Sequence, residues 1–244
     1  MSFKISVITI NLNNQEGLTR TISSVIQQDY ANLEYLVIDG DSSDGSKELI
    51  EEFAEKITYR VSEKDTGVYS AMNKGIKNST GDYLIFLNSG DYFSGSDSIS
   101  KLISNSQGED LVYGNLLVQE SEKTWLKKYP ESLNFRYFYF ESLPHPACLI
   151  SKKLFEKVGL YDTSLKIASD WKFFLISVVK YNCSYKYVDQ LISIFIYDGI
   201  SSKKENVEIL EYERRTTLKK YFNLYFLFYS LYLKGLNKDI YNKI

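Results

Sequence analysis

Residues 5–87 alternate short apolar runs with segments of helical periodicity, and few chain plans satisfy such an alternation. Ile5–Ile10, Leu33–Asp39, Ile57–Val61 and Tyr83–Leu87 are apolar stretches of strand length. Between them, Gly17–Gln28 repeats Leu18, Ile22, Val25 and Ile26 at helical spacing. Ser46–Lys56 turns Leu49, Ile50 and Phe53 to one side, and Val68–Lys77 reads as a third helix. Strands covered on both faces show unbroken apolar runs, and parallel neighbours need crossovers long enough for a helix. The spacing therefore predicts an α/β fold, a Rossmann-like, mostly parallel central sheet flanked by helices.

Past Asp91 the pattern loosens. Ser98–Ser104, Lys152–Val158 and Trp171–Lys180 read as helices, and Leu111–Gln119, Ala147–Ile150 and Leu191–Ile196 as strands. Phe135–Phe140 is strongly aromatic without a clear period. The expected organisation is one domain over 1–205 followed by an aromatic-rich helical extension over 206–244. In that extension the apolar stretch Tyr221–Leu233 is bordered by Arg214, Arg215, Lys219, Lys220 and Lys234. Aromatic side chains edged by basic ones suit the headgroup layer of an anionic leaflet, or equally a helix packed on the domain or in a dimer.

A net charge of −2 supplies no basic field for nucleic acid. No run reaches the roughly 20 apolar residues that cross a bilayer, and no leader precedes the first strand. Cys148 and Cys183 lack metal spacing and read as buried thiols of a reducing compartment. The expected location is the cytoplasm, with peripheral contact at the cytosolic face of the inner membrane.

Ligands of open α/β sheets bind beyond the carboxyl ends of strands, and here those ends are acidic. Asp39 closes one apolar run and opens a turn with Asp41 and Asp44. Asp39 is read as a ligand contact and Asp44 as a cap for the next helix. Tyr83–Leu87 stops at Asn88-Ser89-Gly90-Asp91, where Asp91 suits a hard divalent cation that in turn grips a phosphate. Asp65 ends a third strand near Gly67, and Asn73 and Lys74 offer polar and cationic contacts from the helix that follows. Asp170, before Trp171, is either a helix cap or a proton acceptor in the same crevice. His145, between Pro144 and Pro146, is either structural or part of the site.

SVITINLNN, EYLVIDGDSSDGS, EKDTGVYSAMNKGI, GDYLIFLNSGDYF, HPACLISKKLFEKVGLYD and ASDWKFFL follow one another as they do in family-2 glycosyltransferases. The chain resembles that family over roughly residues 3–200. The resemblance implies the GT-A fold, a nucleotide-sugar donor (usually UDP-linked), a divalent metal (Mn²⁺ or Mg²⁺) and inversion at the anomeric carbon. It implies that Thr9, Asn11 and Asn13, with Asp39, hold the base and ribose. The family's DXD segment falls on Asn88, Ser89, Gly90 and Asp91, with Asp91 meeting the metal. The catalytic base falls on Asp170, beside Trp171, and His145 lies near acceptor and diphosphate. The chain departs from the common pattern at Ile10-Asn11-Leu12-Asn13, at Asn88 and Gly90, and at Met72. The expected activity is transfer of a hexose to a saccharide or lipid-linked acceptor in surface polysaccharide assembly, such as capsule or lipopolysaccharide. The rivals are a sugar nucleotidyltransferase, whose phosphate loop is missing from Asn11–Gly17, and a non-catalytic subunit that binds carbohydrate or nucleotide through a degenerate site. A nicotinamide enzyme would need G-x-G-x-x-G at that loop, and it is absent.

Overall fold

The computed structural model describes residues 3–197, 199 and 204–230. Its elements follow the chain as β1 (Ile5–Asn11), α1 (Gln15–Ile26), β2 (Leu33–Asp39), α2 (Ser46–Glu52), β3 (Tyr59–Ser62), α3 (Val68–Asn78), β4 (Tyr83–Phe86) and β5 (Tyr92–Phe93). Then come α4 (Ser98–Ser104), β6 (Leu111–Glu120), β7 (Lys123–Lys127), α5 (Phe135–Phe140), β8 (Cys148–Ser151), α6 (Lys152–Val158), α7 (Ser169–Leu175), β9 (Tyr185–Ile196) and α8 (Val207–Tyr221). All belong to one mixed α/β body. The sheet order is β3-β2-β1-β4-β8-β6-β9-β5, with β7 added beside β6. β3, β2, β1 and β4 run parallel, as the alternation predicts. Beyond β4 the sheet becomes mixed, because β8 is antiparallel to both β4 and β6 whereas β6 and β9 are parallel.

The core lies on both faces of this sheet. Every residue of β1 is buried, which accounts for its largely apolar composition. α3 crosses so close to β1 that a Cβ on Gly75 would stand 2.5 Å from Ile8 Cγ2. The apolar strand rows are tied at one end by Glu34, whose carboxylate takes hydrogen bonds from Ser6, Thr80 and Gly81 and an ion pair from Lys4 at 2.8 Å. Burial opposes the charge, yet those donors hold Glu34 at a pKa of about 2.

Several elements depart from the sequence expectation. Phe135–Phe140 is a helix, started by the Asn134 side chain accepting from Tyr137 N at 3.0 Å. β9 begins at Tyr185, ahead of the expected Leu191, because its pairing with β6 extends upstream of the apolar run. The helix expected over Trp171–Lys180 is α7 continued by a π turn over Ile176–Lys180. The apolar stretch expected over Tyr221–Leu233 is described to residue 230, helical again over 223–230, and residues 231–244 lie outside the described residues.

Candidate active site

Strand order reverses at β1, with β2 and β3 on one side and β4 on the other. The chain therefore parts beyond the carboxyl ends of β1 and β4, the position where such sheets receive ligands. A cavity of about 720 Å³ occupies that place, lined by Asn11, Gly40, Asp65, Tyr69, Asn88 and Ser89 among others. Three buried acceptors border it. Asn11 Oδ1, Asn88 Oδ1 and Asp65 Oδ2 have no hydrogen-bond partner among the described residues. Buried polar groups ordinarily find partners, so acceptors gathered around one cavity mark a place for donors brought by a ligand.

Asp39 stands behind this wall rather than in it. It is 0% exposed, and its oxygens accept from Asn11 Nδ2 (2.8 Å), Ser42 N (2.9 Å), Ser42 Oγ (2.5 Å) and Ser62 Oγ (2.6 Å). Burial would raise its pKa, but these donors outweigh that and keep it low. The carboxylate accepts from the Asn11 amide nitrogen, so Asn11 must present its oxygen elsewhere. Asn11, rather than Asp39, lines the cavity.

Other residues expected at the site have partners within the protein. Thr9 lies inside the sheet, its hydroxyl donating to Leu87 O at 2.7 Å and accepting from Tyr35 OH at 3.0 Å. Asn73 clasps Tyr161, donating to its carbonyl at 2.8 Å and accepting from its N–H at 3.0 Å. Lys74 is ion-paired with Glu63 at 2.7 Å and with Asp65 Oδ1 at 2.9 Å. Asp41 turns outward in the left-handed region (φ 68°) to pair with Lys47. Asn13 Oδ1 accepts from Ser43 N at 2.8 Å and fixes the loop after β1. Asp44 holds the starts of both α1 and α2, accepting from Gln15 N at 2.8 Å and Ser46 N at 3.1 Å.

A second cavity of about 560 Å³ opens on the far side of His145 and Asp170, walled by Trp125, Tyr129, Phe140 and Trp171 among others. Asp170 sits in the first turn of α7, where Ala168 rather than Asp170 is the capping residue. Its Oδ1 lies 2.9 Å from the Tyr69 hydroxyl, and its Oδ2 lies 3.2 Å from His145 Nδ1. The single Tyr69 proton serves either Asp170 or the neighbouring Ile167 carbonyl at one time. His145 Nε2 in turn lies 3.2 Å from Asn88 Nδ2. His145 thus turns Nδ1 to Asp170 and Nε2 to the Asn88 amide. A continuous polar path, Asn88–His145–Asp170–Tyr69, therefore divides the two cavities.

Burial disfavours charge on Asp170, but the hydrogen bond and charge of His145, the Tyr69 hydroxyl and the Trp171 N–H together hold its pKa below the ordinary carboxylate value. Tyr69 is pushed well up by burial and by the Asp170 charge, so it stays a donor. The result is an ionised carboxylate of fixed orientation at the border of the second cavity, able to accept a proton from a hydroxyl placed there. Trp171 is 1% exposed and donates from Nε1 to Phe138 O at 2.7 Å, so it forms the wall of this cavity without a free polar edge. Tyr69 was missed by the sequence reading although it stands in the quoted EKDTGVYSAMNKGI segment. Nothing in the local spacing connects it to a residue so distant in the chain.

Asp91 follows a tight turn in which its own N–H donates to Asn88 O at 3.0 Å and Gly90 takes φ 108°. It is 5% exposed, and Oδ1 accepts from Ile196 N at 3.1 Å. Among the described residues no three His, Cys, Asp or Glu side chains gather as a preformed metal cage. Asp91 is not among the residues lining either cavity, and a single carboxylate suits only a cation that arrives with a diphosphate and keeps water in its shell, as Mg²⁺ commonly does.

Comparison with known proteins gives the family and the fold. The family model described as "Glycosyl transferase family 2" matches residues 6–158. "Uncharacterized glycosyltransferase Rv1514c" of Mycobacterium tuberculosis (strain ATCC 25618 / H37Rv) is 32% identical over 206 residues, covering 82% of this chain and 78% of its own. Among solved structures, S. aureus TarS 1-349 in complex with UDP-GlcNAc superposes with a TM-score of 0.67 at 17% identity, over 88% of this chain and 66% of that one. Mannosyltransferase PcManGT from Pyrobaculum calidifontis, in complex with GDP-Man and Mn²⁺, gives a TM-score of 0.60 at 15% identity, over 89% of this chain and 62% of that one. At such identities the two structures share the fold with this chain, which spans just under two thirds of each.

Proposed function

The chain belongs to glycosyl transferase family 2 and is a glycosyltransferase, and from that membership we propose its donor, its acceptor and the roles of the residues between them. The donor is a nucleoside diphosphate sugar, UDP-linked, with its nucleoside in the first cavity. The observation that carries this reading is the set of unpartnered acceptors Asn11 Oδ1, Asn88 Oδ1 and Asp65 Oδ2 around that cavity, matched to the N–H and O–H donors of a base and a ribose. Asp39 orients Asn11 from behind. TarS, of the same fold, holds UDP-GlcNAc, which supports a uridine nucleotide.

The acceptor is a saccharide or lipid-linked saccharide lying in the second cavity, against the aromatic side chains of Trp125 and Tyr129. Asp170 takes the proton of its hydroxyl as that oxygen forms a bond to the anomeric carbon. The bond from the anomeric carbon to the diphosphate breaks on the opposite face, and the configuration inverts. His145 and Tyr69 orient the Asp170 carboxylate. Asp91 would hold a divalent ion together with the donor diphosphate. When bound, that ion neutralises charge on the departing diphosphate. Capsule or lipopolysaccharide assembly is the pathway class that this acceptor chemistry suits.

The extension supports contact with a lipid surface. Leu224, Leu227 and Phe228 are 81%, 55% and 65% exposed, and Phe140, 50% exposed, both faces solvent and lines the second cavity. The exposed Lys219 and Lys220 precede them on α8. An apolar face edged by basic residues suits an anionic leaflet that carries the acceptor.

Asp170→Asn tests the mechanism. Turnover should fall by about 10²–10⁴-fold, the usual worth of general base action, while calorimetric binding of UDP with Mn²⁺ stays within about twofold. Retained turnover would remove Asp170 from the chemistry. Asp91→Ala should do the reverse at the first step, weakening metal-dependent UDP binding.

A further inference from the structure

The second cavity holds a cation that the transfer reaction as described does not use. Lys127, on its wall, is neutralised by Glu141 at 2.9 Å. Arg214, on α8, has no ion-paired carboxylate among the described residues. Its guanidinium carbon lies 5.0 Å from the Trp171 ring centre, its Nη1 donates to Phe140 O at 3.3 Å, and its Nε is buried with no partner. Burial pulls its pKa down from the ordinary arginine value even though Asp170 and Glu141 act in the opposite sense. Keeping a cation out of water without a counter-ion is costly.

The position is built rather than incidental. The adjacent Glu213 accepts from the backbone N–H groups of Lys166, Ile167 and Ala168, at 2.5, 3.0 and 2.9 Å. That clasp joins α8 to the loop immediately before Asp170 and fixes which way the next residue faces. The guanidinium carbon lies over the Trp171 ring, and Nη1 is held by Phe140 O. A planar fork of N–H donors held in this way matches a carboxylate or phosphoryl group through two parallel hydrogen bonds.

We propose that Arg214 binds an oxyanion, a carboxylate or a phosphoryl group, carried by the acceptor close to the hydroxyl that is glycosylated. The proposal rests on the acceptor occupying the second cavity. The guanidinium offsets the repulsion that Asp170 and Glu141 exert on an anionic ligand there, so one side chain both selects the charged acceptor and permits it to approach the base. Uncharged saccharides of the same size lose this contact and leave the cation unpaired.

The test uses the full chain and three probes that differ in their head groups: hexyl β-D-glucoside, hexyl β-D-glucuronide and hexyl phosphate. Binding is followed by tryptophan fluorescence in wild type, Arg214→Met and Arg214→Lys. Wild type should bind at least one anionic probe about tenfold or more tightly than the neutral one, and whichever anion gains identifies carboxylate or phosphate as the preferred group. Arg214→Met should erase the difference, and Arg214→Lys should keep part of it. Equal binding of charged and neutral probes by wild type, or no binding of any, overturns the proposal, as does unchanged discrimination in Arg214→Met. A parallel titration with UDP and Mn²⁺ reports folding and separates the sources of phosphate. A tenfold loss of UDP affinity in Arg214→Met would reassign the side chain to the donor diphosphate and overturn the proposal. Failure of the wild type to bind any nucleotide would instead defeat the donor reading, while the probe titrations would still decide the role of Arg214.

Discussion

A base that is itself hydrogen-bonded must balance orientation against basicity, and the side chains around Asp170 set that balance. His145 lowers the Asp170 pKa by hydrogen bond and by charge, so the ionised form extends to more acid solution. Removing the ring should raise that pKa. The acid limb of a kcat/KM pH profile should therefore move to higher pH in His145→Ala, with activity lost as pH falls through the raised value. An unshifted limb would mean that His145 does not tune the base. A second carboxylate, Glu34, makes a statement about stability. Its pKa of about 2 in the fold lies below its ordinary 4.5, so its contribution is complete above about pH 4.5 and disappears as pH falls towards 2. Urea midpoints measured between pH 6 and 3 should fall more steeply for wild type than for Glu34→Gln, whose midpoint is already lowered at pH 6. Both acids are carboxylates, and the surroundings that folding gives them differ: Glu34 is held by Ser6, Thr80, Gly81 and Lys4, and Asp170 by His145 and Tyr69.

The elements differ in how plainly their residues announce them. β1, β2 and β4 are covered on both faces, so burial writes itself into the sequence as apolar runs. β7 is nearly all exposed and β5 is two residues long. Each exists through backbone pairing with a strand distant from it or next to it, and pairing of that kind leaves no side-chain period to read. Helix α8 is amphipathic only weakly, with Glu213 among its buried residues. A buried acid within a charged helix looks like noise until its three backbone donors are seen. Cutting that clasp should have two effects. Glu213→Ala should destabilise the protein by about 2–4 kcal/mol in urea unfolding, because buried N–H groups lose a charged acceptor. It should also raise the acceptor KM more than it changes donor binding, since α8 carries Arg214 into the second cavity and has no residue in the first.

Across the whole molecule, the parallel half of the sheet and the mixed half meet at β4 and β8, and the two cavities lie to either side of the Asn88–His145–Asp170–Tyr69 path. The helical extension packs against α5, with Phe135 5.6 Å from Phe222 and Tyr139 5.6 Å from Tyr229 between ring centres, while its outer apolar side chains remain exposed. Vesicle flotation measures that face: the full chain should rise with anionic phosphatidylglycerol vesicles at low salt, and Leu224→Ser combined with Phe228→Ser should leave it in the soluble fraction. Equal recovery of both proteins with the vesicles would argue for a different surface. The sequence by itself determined the alternating α/β plan, the acidic strand ends and the segment that carries Asp170, because buried strands need apolar runs and tight turns need their characteristic residues. The tertiary structure alone decided that Asp39 is buried against Asn11, that Thr9 and Asn73 bond within the protein, that Tyr69 reaches Asp170, and that Arg214 lines the second cavity. Those outcomes depend on which distant groups are brought within hydrogen-bond reach, and proximity of that kind is a property of the folded chain that no local pattern encodes.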